Sequence, residues 1–270
     1  MIYIIAKKYK EVNIKMNPIV ALCPVIEKKT VAQGIFDIKI NSPELAKNSH
    51  PGQFLHVKCG NYILRRPISI CDINCDSIVR FLFDVRGDGT EWLSTVKIGD
   101  TLDILGPLGK GFEILPSDKR AIFVGGGIGI YPLLATCKTY KAPTVFLGFR
   151  NKSYITLIDD FVNYGAIVDI ATDDGSTGYH GLVTNLLEEH LKTSTSDMIY
   201  TCGPKLMMKK VAEIAREYNI RCQVSMEERM GCGVGACLVC ACRTYKKDGS
   251  ETHSFVCKDG PIYESEEVVW

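Results

Sequence analysis

Four cysteines in the last quarter of the sequence have the spacing of an iron–sulfur site. Cys232, Cys237 and Cys240 read C-x4-C-x2-C, and Cys257 follows after sixteen further residues. This is the plant-type spacing for a [2Fe–2S] cluster. The segment around the first three is rich in glycine, so the backbone can curl tightly and point N–H groups at the sulfurs. Because such a cluster carries one electron at a time, the pattern predicts a redox protein.

Two other uses of four cysteines compete with this interpretation. Structural zinc favours two C-x2-C pairs, and this sequence has one. Disulfides need an oxidising compartment, and no signal peptide is visible, so we expect a cytoplasmic protein with reduced thiols. Cys242 lies two residues beyond Cys240 and could replace it as a ligand. The C-x2-C spacing fits better, and we interpret Cys242 as a bystander.

The composition bounds the size of the protein and the class of its partners. The 270 residues are long for one compact domain and suffice for two domains plus a small module. The net charge of +1 gives no electrostatic reason to expect nucleic acid or an anionic membrane as partner. No apolar run approaches the roughly 20 residues of a membrane helix. The five histidines show no ligand spacing, and we interpret them as surface or turn residues.

Residues 18–118 predict a small antiparallel β-barrel. Short segments there, such as 35–40, 53–57 and 77–85, alternate polar and apolar residues and are separated by turn residues. Many short strands of this kind are typical of a barrel. Residues 1–17 are either a first strand or an N-terminal extension, and the sequence leaves both open.

From residue 119 the pattern changes to that of a parallel α/β sheet. Continuous apolar runs occur at 121–124, 144–147, 166–171 and 198–201, with helical stretches at 131–140, 183–190 and 205–218. Buried strands that alternate with helices indicate a parallel sheet covered on both faces. We expect this domain to span residues 119–225. Residues 226–270 then form a small module around the four cysteines.

Two motifs in the barrel half could hold a flavin nucleotide. The segment Arg66-Pro67-Ile68-Ser69 combines a guanidinium, which meets phosphate bidentately, with a rigid proline and a hydroxyl. Twenty residues further on, Gly89 and Thr90 precede a predicted helix at 91–96, whose free N–H groups suit a phosphate. Each motif alone also fits an ordinary turn or helix cap. Together, ahead of an α/β domain, they predict FAD.

A glycine-rich turn after the first parallel strand could hold a nicotinamide nucleotide. It reads Gly125-Gly126-Gly127-Ile128-Gly129 and opens a helix. Ile130 replaces the last glycine of the usual G-x-G-x-x-G, and no acidic residue follows about 20 residues on. Arg150 stands near that position, which leaves NADP open as well as NAD. A turn that serves packing alone is the other interpretation.

Two further loops follow parallel strands, at the edge where open α/β sheets bind ligands. One contains Asp173, and the other reads Cys202-Gly203-Pro204. We expect Asp173, Gly203 and Pro204 to line the nicotinamide site. Cys202 would place a sulfur over the crevice, although a small core residue is the alternative.

The order of these motifs resembles the ferredoxin–NADP reductase superfamily. R-P-I-S, G-D-G-T, G-G-G-I-G-I-Y-P-L, T-D-D-G-S-T-G and C-G-P follow one another along the chain. The segment M-E-E-R-M-G-C-G-V-G-A-C from Met226, with V-C-K-D-G-P from Val256, is more specific. It looks like the electron-transfer subunits of two-subunit, NAD-linked dihydroorotate dehydrogenases (class 1B). The resemblance runs from about residue 17 to residue 268.

The resemblance implies roles for individual residues. FAD would lie on Arg66, Pro67, Ile68 and Ser69, with Gly89 and Thr90 at its pyrophosphate. Leu82, Phe83 and Asp84 would offer main-chain contacts to the flavin, although Asp84 departs from the basic or neutral residue of the family pattern. Cys232, Cys237, Cys240 and Cys257 would hold the cluster. Cys202 would face the nicotinamide as the catalytic thiol.

The resemblance also implies a partner and a pathway. An FMN-containing catalytic subunit would oxidise dihydroorotate in pyrimidine biosynthesis and pass electrons through [2Fe–2S] and FAD to NAD+. Two copies of each subunit would form a heterotetramer. The flavin and [2Fe–2S] subunit of a ferredoxin- or sulfide-linked NADP oxidoreductase shares this domain order and is the alternative, favoured by Arg150. A zinc-binding regulator built on a reductase-like fold is a third reading, from a different class.

Overall fold

The structure is a computed structural model that describes residues 18–74 and 77–270. The predicted first strand or extension at 1–17 lies outside the described residues. Six antiparallel strands close into a barrel in the order β1-β2-β5-β4-β3-β6. They are β1 (Ile19–Ala32), β2 (Ile35–Asn41), β3 (Phe54–Val57), β4 (Arg66–Ile73), β5 (Ile78–Asp84) and β6 (Thr101–Leu108). Helices α1 (Pro43–Asn48) and α2 (Asp88–Thr95) lie in its connections.

Every second side chain along the strands points inward and fills the barrel. Leu55 and Val57 of β3 point inward and join a core that includes Ile38, Ile70 and Phe81. Residues between them on the same strands point outward, as the two-residue period of a strand requires. The outer faces of β3 and β6 are therefore free to carry other parts of the protein.

The second half is a seven-stranded sheet in the order β10-β9-β8-β7-β11-β12-β15. The strands are β7 (Ala121–Gly126), β8 (Thr144–Phe149), β9 (Ile167–Thr172), β10 (Tyr179–His180), β11 (Met198–Cys202), β12 (Arg221–Ser225) and β15 (Ile262–Glu264). All neighbours are parallel except β15, which runs antiparallel to β12. Helices α3 (Tyr131–Cys137), α4 (Ile158–Asn163), α5 (Val183–Leu191) and α6 (Lys205–Glu217) connect the strands.

Helices cover both faces of this sheet, which explains the continuous apolar strands. All six residues of β7 are buried. Phe123 packs on the face that α3 covers, whereas Ile122 and Val124 pack on the face that α5 and α6 cover. Burying both faces requires apolar residues at every position instead of every second one. Short 3-10 helices lie at Gly127–Ile130, Lys152–Tyr154 and Ser265–Glu267.

Residues after β12 form a small unit with a two-stranded hairpin, β13 (Ala241–Tyr245) and β14 (Glu251–Phe255). Phe54 and Leu108, from the outer face of the barrel, share one hydrophobic cluster with Cys240 and Cys257. The unit thus packs directly on the barrel. β15 lies in the range predicted for the cysteine module but belongs to the sheet, and the predicted domain boundaries stay a prediction.

Two buried ionic networks join the barrel to the α/β half. Arg80 of β5 binds Asp37 of β2 at 2.7 Å and Asp160 of α4 at 2.5 Å. Lys138, just after α3, forms an ion pair with Asp72 of β4 and donates to the carbonyl of Ile73 at 2.7 Å. These contacts fix the barrel strands that carry the flavin motif against the helices that follow the glycine turn.

The predicted fold class is confirmed: an antiparallel barrel is followed by a parallel sheet with helices and a C-terminal cysteine unit. The four apolar runs correspond to β7, β8, β9 and β11. The helix predicted at 91–96 begins earlier, at Asp88, because Gly87 and Thr90 cap it. Among residues 18–74 and 77–270, no helix is long and apolar enough to span a membrane.

Candidate flavin and iron–sulfur site

The segment 231–240, here called the cluster loop, surrounds Cys232 with backbone donors. Three N–H groups donate to its Sγ: those of Val234 at 3.4 Å, Ala236 at 3.2 Å and Cys237 at 3.4 Å. Burial would raise the pKa of the Cys232 thiol, but these donors outweigh it and lower the pKa to about 6. Ligation to iron requires the thiolate, and the loop favours that form.

The four predicted ligands come together as two pairs. Cys232 lies beside Cys237, whose Sγ accepts the Cys232 N–H at 3.3 Å. Cys240 lies beside Cys257, whose N–H donates to the Cys240 Sγ at 3.5 Å. Burial and the neighbouring Cys240 raise the pKa of Cys257 to about 12. Two pairs match the two irons of a [2Fe–2S] cluster, so the residues present fit this group.

Left-handed backbone at three positions gives the cluster loop its shape. Gly233 and Gly235 have φ of +77° and +80°, which glycine adopts without strain. Leu238 has φ of +60°, a conformation that a side chain disfavours, and its side chain is exposed. Within residues 18–74 and 77–270, no three His, Cys, Asp or Glu side chains are arranged to hold a single metal ion.

Cys242 lies apart from the two pairs. It is buried in β13, and its thiol donates to the Tyr263 hydroxyl at 3.6 Å. Burial raises the pKa of Cys242, with Tyr263 opposing. The side chain therefore has a partner in the core, which agrees with its interpretation as a bystander.

Arg66 of β4 lies over the start of α2. Gly89 leaves room for it, since a Cβ at Gly89 would overlap the Arg66 guanidinium. The Thr90 hydroxyl accepts the N–H groups of Arg86 at 2.9 Å and Gly87 at 3.2 Å, so it caps the helix. A guanidinium and the unpaired N–H groups of a helix start thus face the same space, which fits a pyrophosphate.

The arginine directly before the motif serves the fold. Arg65 binds both carboxylate oxygens of Asp103, at 2.8 and 2.9 Å. A cavity of about 420 Å³ next to Arg66 is lined by Gly60, Asn61, Tyr62 and Trp92. Its aromatic walls suit a planar base, and the Arg66 guanidinium carbon lies 5.8 Å from the Tyr62 ring centre.

The remaining predicted flavin residues differ in what they can offer a ligand. Ile68, Leu82 and Phe83 have buried side chains that belong to the hydrophobic clusters. Their backbone alone is available, as predicted for the strand 82–84. Pro67 is exposed and Ser69 half-buried. Asp84 pairs with Arg86 at 2.7 Å, so its charge is balanced within the protein.

The glycine turn packs tightly against the end of β11. A Cβ at Gly129 would lie 2.5 Å from the carbonyl oxygen of Cys202, and one at Gly126 would lie 2.8 Å from Pro204. Glycine is required at these two positions, and at Gly203 opposite them, because the glycine turn and the segment after β11 approach each other closely. Gly127 differs, with φ of +56°, an exposed position and open space where a Cβ would be. Ile128 beside it is half-buried, so this end of the turn remains accessible to a nucleotide.

Cys202 is buried at the end of β11, where its thiol interacts with Ser225. Burial, and Glu227 nearby, hold the pKa of Cys202 above its usual range, so the thiol is neutral. Glu227 was not among the predicted site residues. It lies close to Arg86 and Asp84, and desolvation raises the pKa of its carboxyl. Its position two residues after the parallel strand β12 was the available signal.

Asp173 and Arg150 lie at the same edge of the sheet. Both side chains are exposed, and the Asp173 N–H donates to the Phe149 carbonyl at 3.0 Å. The loop from 172 to 178 is held by Thr172, whose hydroxyl donates to the Thr177 carbonyl at 2.7 Å. The structure thus brings the three predicted nicotinamide loops to one edge, and their contact with a nucleotide stays a prediction.

One expectation about histidines is wrong. His56 was interpreted as a surface or turn residue, but it lies in β3 and is 1% exposed. The cluster loop covers it, because Gly233 packs directly on its ring. A residue on the outer face of a barrel strand is buried here by a segment that follows much later in the chain.

Comparison with known proteins identifies the family. Residues 227–269 match the iron-sulfur cluster binding domain of dihydroorotate dehydrogenase B. The dihydroorotate dehydrogenase B (NAD(+)) electron transfer subunit of Caldanaerobacter subterraneus subsp. tengcongensis is 42% identical over 249 residues, 91% of this chain and 97% of that protein. The same subunit of Desulforamulus reducens is 42% identical over 251 residues, 89% of this chain and 94% of that protein.

The chain belongs to the family of dihydroorotate dehydrogenase B electron transfer subunits. The region matched to the cluster-binding domain of that family contains all four predicted ligand cysteines. A solved NADH-dependent reduced ferredoxin-NADP oxidoreductase is 32% identical, with a TM-score of 0.80 over 93% of this chain and 90% of that one. The electron transfer subunits therefore share their fold with ferredoxin–NADP oxidoreductases, as the order of motifs predicted.

Proposed function

We propose that this chain carries electrons from the FMN-containing catalytic subunit of a dihydroorotate dehydrogenase to NAD+, by way of a [2Fe–2S] cluster and FAD. The observation that carries the proposal is the packing of the cluster loop on the flavin barrel. Phe54 and Leu108 of the barrel share a hydrophobic cluster with Cys240 and Cys257. In a member of this family, that contact brings the two redox sites together.

The division of labour follows from the chemistry of the bound groups. The cluster supplies one-electron transfer, and the flavin converts single electrons into the hydride that NAD+ accepts. Arg66 and the start of α2 would bind the flavin pyrophosphate, and the backbone of β4 and β5 would orient the flavin ring. The backbone donors of the cluster loop would balance the charge of the ligand thiolates. Neutral Cys202 and the adjacent turn at Gly129 would contact the nicotinamide and exclude water from it.

We propose that the catalytic subunit docks on the exposed apolar side of the cluster loop. Val234, Leu238 and Val239 are 46%, 59% and 54% exposed, although they lie in a loop that contains three cluster ligands. An apolar patch at a redox centre marks a protein contact. We further propose the heterotetramer, with two chains of each kind. We propose that dihydroorotate is oxidised on the catalytic subunit, so that the reaction of this chain is the reduction of NAD+.

Reduced thiols support a cytoplasmic location for this enzyme. Eleven free cysteines occur among the described residues, and nine of them are buried. Disulfides are rare in the reducing cytoplasm. A second candidate function is that of a ferredoxin–NADP oxidoreductase subunit. It is favoured by the likeness to the solved oxidoreductase and by exposed Arg150 at the nucleotide edge, since guanidinium suits a 2′-phosphate.

One experiment separates the two functions. The tagged chain is purified anaerobically from its own cells, and the cofactors and partner are analysed. An FMN-containing partner, and reduction of NAD+ by dihydroorotate in the complex, would support the proposal. A partner with [4Fe–4S] clusters, together with at least tenfold tighter binding of NADP+ than of NAD+, would support the second candidate. The isolated chain should oxidise NADH with artificial acceptors and never oxidise dihydroorotate.

A further inference from the structure

A histidine is buried between the flavin barrel and the cluster loop without a hydrogen-bond partner. His56 is 1% exposed, and within residues 18–74 and 77–270 neither ring nitrogen has a partner. Buried polar side chains are nearly always satisfied, and an exception requires an explanation. A side chain used only to fill space at this position could be apolar, as its neighbours are.

The register of the barrel shows what surrounds the ring. His56 pairs with Leu105 of β6 on one side and with Pro67 of β4 on the other. It therefore lies on the outer face, one strand away from the predicted flavin motif. Gly233 packs on the ring from above: a Cβ there would be 2.6 Å from Nδ1 of His56. The absence of a side chain at Gly233 lets the ring touch the cluster loop.

The ring faces the first ligand of the cluster. The backbone carbonyls of Arg65 and Cys232 both interact with the imidazole, although neither closes a hydrogen bond. A neutral imidazole has one nitrogen that donates and one that accepts, so the ring can donate to one of these two carbonyls.

We propose that His56 is a positioning residue for the iron–sulfur cluster: its ring N–H donates to the backbone carbonyl of Cys232 and so holds the cluster loop against the flavin-bearing strand. The N–H groups of that loop donate to the Cys232 sulfur. Donors to a ligand sulfur stabilise the more negative, reduced cluster, so a firmly held loop keeps the reduction potential of the cluster high. The inference rests on the cluster of the proposed function. Iron and sulfide content of the unaltered chain, measured first, tests that function separately.

Three variants of the full FAD-loaded chain test the role. His56→Leu removes the donor and keeps the bulk, whereas His56→Asn restores an N–H near the Nδ1 position. His253→Leu, at an exposed histidine on β14 of the same module, is the matched control. The readout is the midpoint potential of the cluster in an EPR-monitored redox titration. The FAD potential of the same sample serves as an internal standard.

We expect His56→Leu to shift the equilibrium between cluster and flavin about tenfold toward the reduced flavin, a lowering of the cluster potential by about 59 mV. His56→Asn should recover most of this shift, and His253→Leu should change nothing. An unchanged cluster potential in His56→Leu, or an equal shift in cluster and flavin, would overturn the proposal. If His56→Leu contains no cluster while His56→Asn contains one with a normal potential, the result would support the proposal. Loss of the cluster in both variants would contradict it.

A measurement on the unaltered chain is independent of variant folding. Pulsed EPR of the reduced cluster, in protein labelled with [15N]histidine, detects a histidine nitrogen close to the unpaired spin. We expect a 15N coupling that disappears in His56→Asn and persists in His253→Leu. A spectrum without any histidine coupling would refute contact between His56 and the cluster.

Discussion

The ion pair between Asp72 and Lys138 should determine how firmly the flavin barrel is held to the nicotinamide half. Asp72 lies on β4, the predicted flavin strand, and Lys138 directly follows α3. Their side chains are 15% and 9% exposed. Asp72 also accepts the Tyr164 hydroxyl at 2.7 Å and the Ile73 N–H at 2.8 Å. Removing the carboxylate leaves a buried ammonium with the Ile73 carbonyl at 2.7 Å and the Tyr164 ring centre at 5.6 Å, and with no negative charge to balance it.

The expected loss in the free energy of unfolding follows from the burial of this ion pair. Removing one partner of a buried pair destabilises by about 3–5 kcal/mol. At about 2–4 °C per kcal/mol for a chain of this size, Asp72→Asn should lower the unfolding temperature by about 6–20 °C. NADH-dependent reduction of the bound flavin should slow as well, because α3 begins at the glycine turn. Iron content should not change, since the cluster loop touches neither residue.

The assay is a double-mutant cycle followed by thermal circular dichroism of the FAD-loaded chain. Asp72→Asn, Lys138→Met and the double variant should show a coupling energy, because the double variant removes the stranded charge. Glu189→Gln is the control, since the Glu189–Lys192 pair is 74% and 61% exposed and should contribute less than about 1 kcal/mol. A loss in Asp72→Asn no larger than in Glu189→Gln, or purely additive losses in the cycle, would refute the reasoning.

Three other substitutions address the cofactor sites. Cys237→Ala should abolish the cluster absorbance and leave FAD bound, whereas Cys242→Ala should keep both; loss of FAD in Cys237→Ala would show that the module is needed for the barrel. Gly89→Ala should weaken FAD binding at least tenfold, because its Cβ overlaps Arg66, while Gly87→Ala has open space and should bind FAD normally; equal affinities would contradict the pyrophosphate site. Gly129→Ala should cost about 1–3 kcal/mol by pushing on the Cys202 backbone and should raise the KM for NADH, with Gly87→Ala again as the control in open space; an unchanged KM would place the nucleotide elsewhere.

Much of the fold could be predicted because burial on two faces leaves a strong pattern. The apolar run at 121–124 predicts β7, since every residue of that strand is covered by helices. β15 was not predicted. It has three residues, and its pairing with β12 depends on a contact that no local pattern encodes.

The candidate site likewise combines residues that a local pattern predicts with residues whose surroundings come from distant parts of the chain. Spacing alone predicted the four cysteines, because a cluster constrains its ligands tightly along the chain. The glycine turn was harder, because Gly126 and Gly129 fit equally well as packing against Cys202 and Pro204. His56 could not be predicted as buried, since its cover comes from Gly233, far away in sequence.

The antiparallel pairing of β12 with β15 has a consequence for how such proteins can be rebuilt. Ser225 and Ile262 are register partners, so residues 226–261 leave the sheet and return to it at one point. The module that contains the four predicted cluster ligands is thus topologically an insertion in a hairpin. A two-residue Asn-Gly turn could close the same hairpin. A reductase of this design can gain or lose the module for one-electron transfer while every other strand keeps its place in the sheet and the barrel.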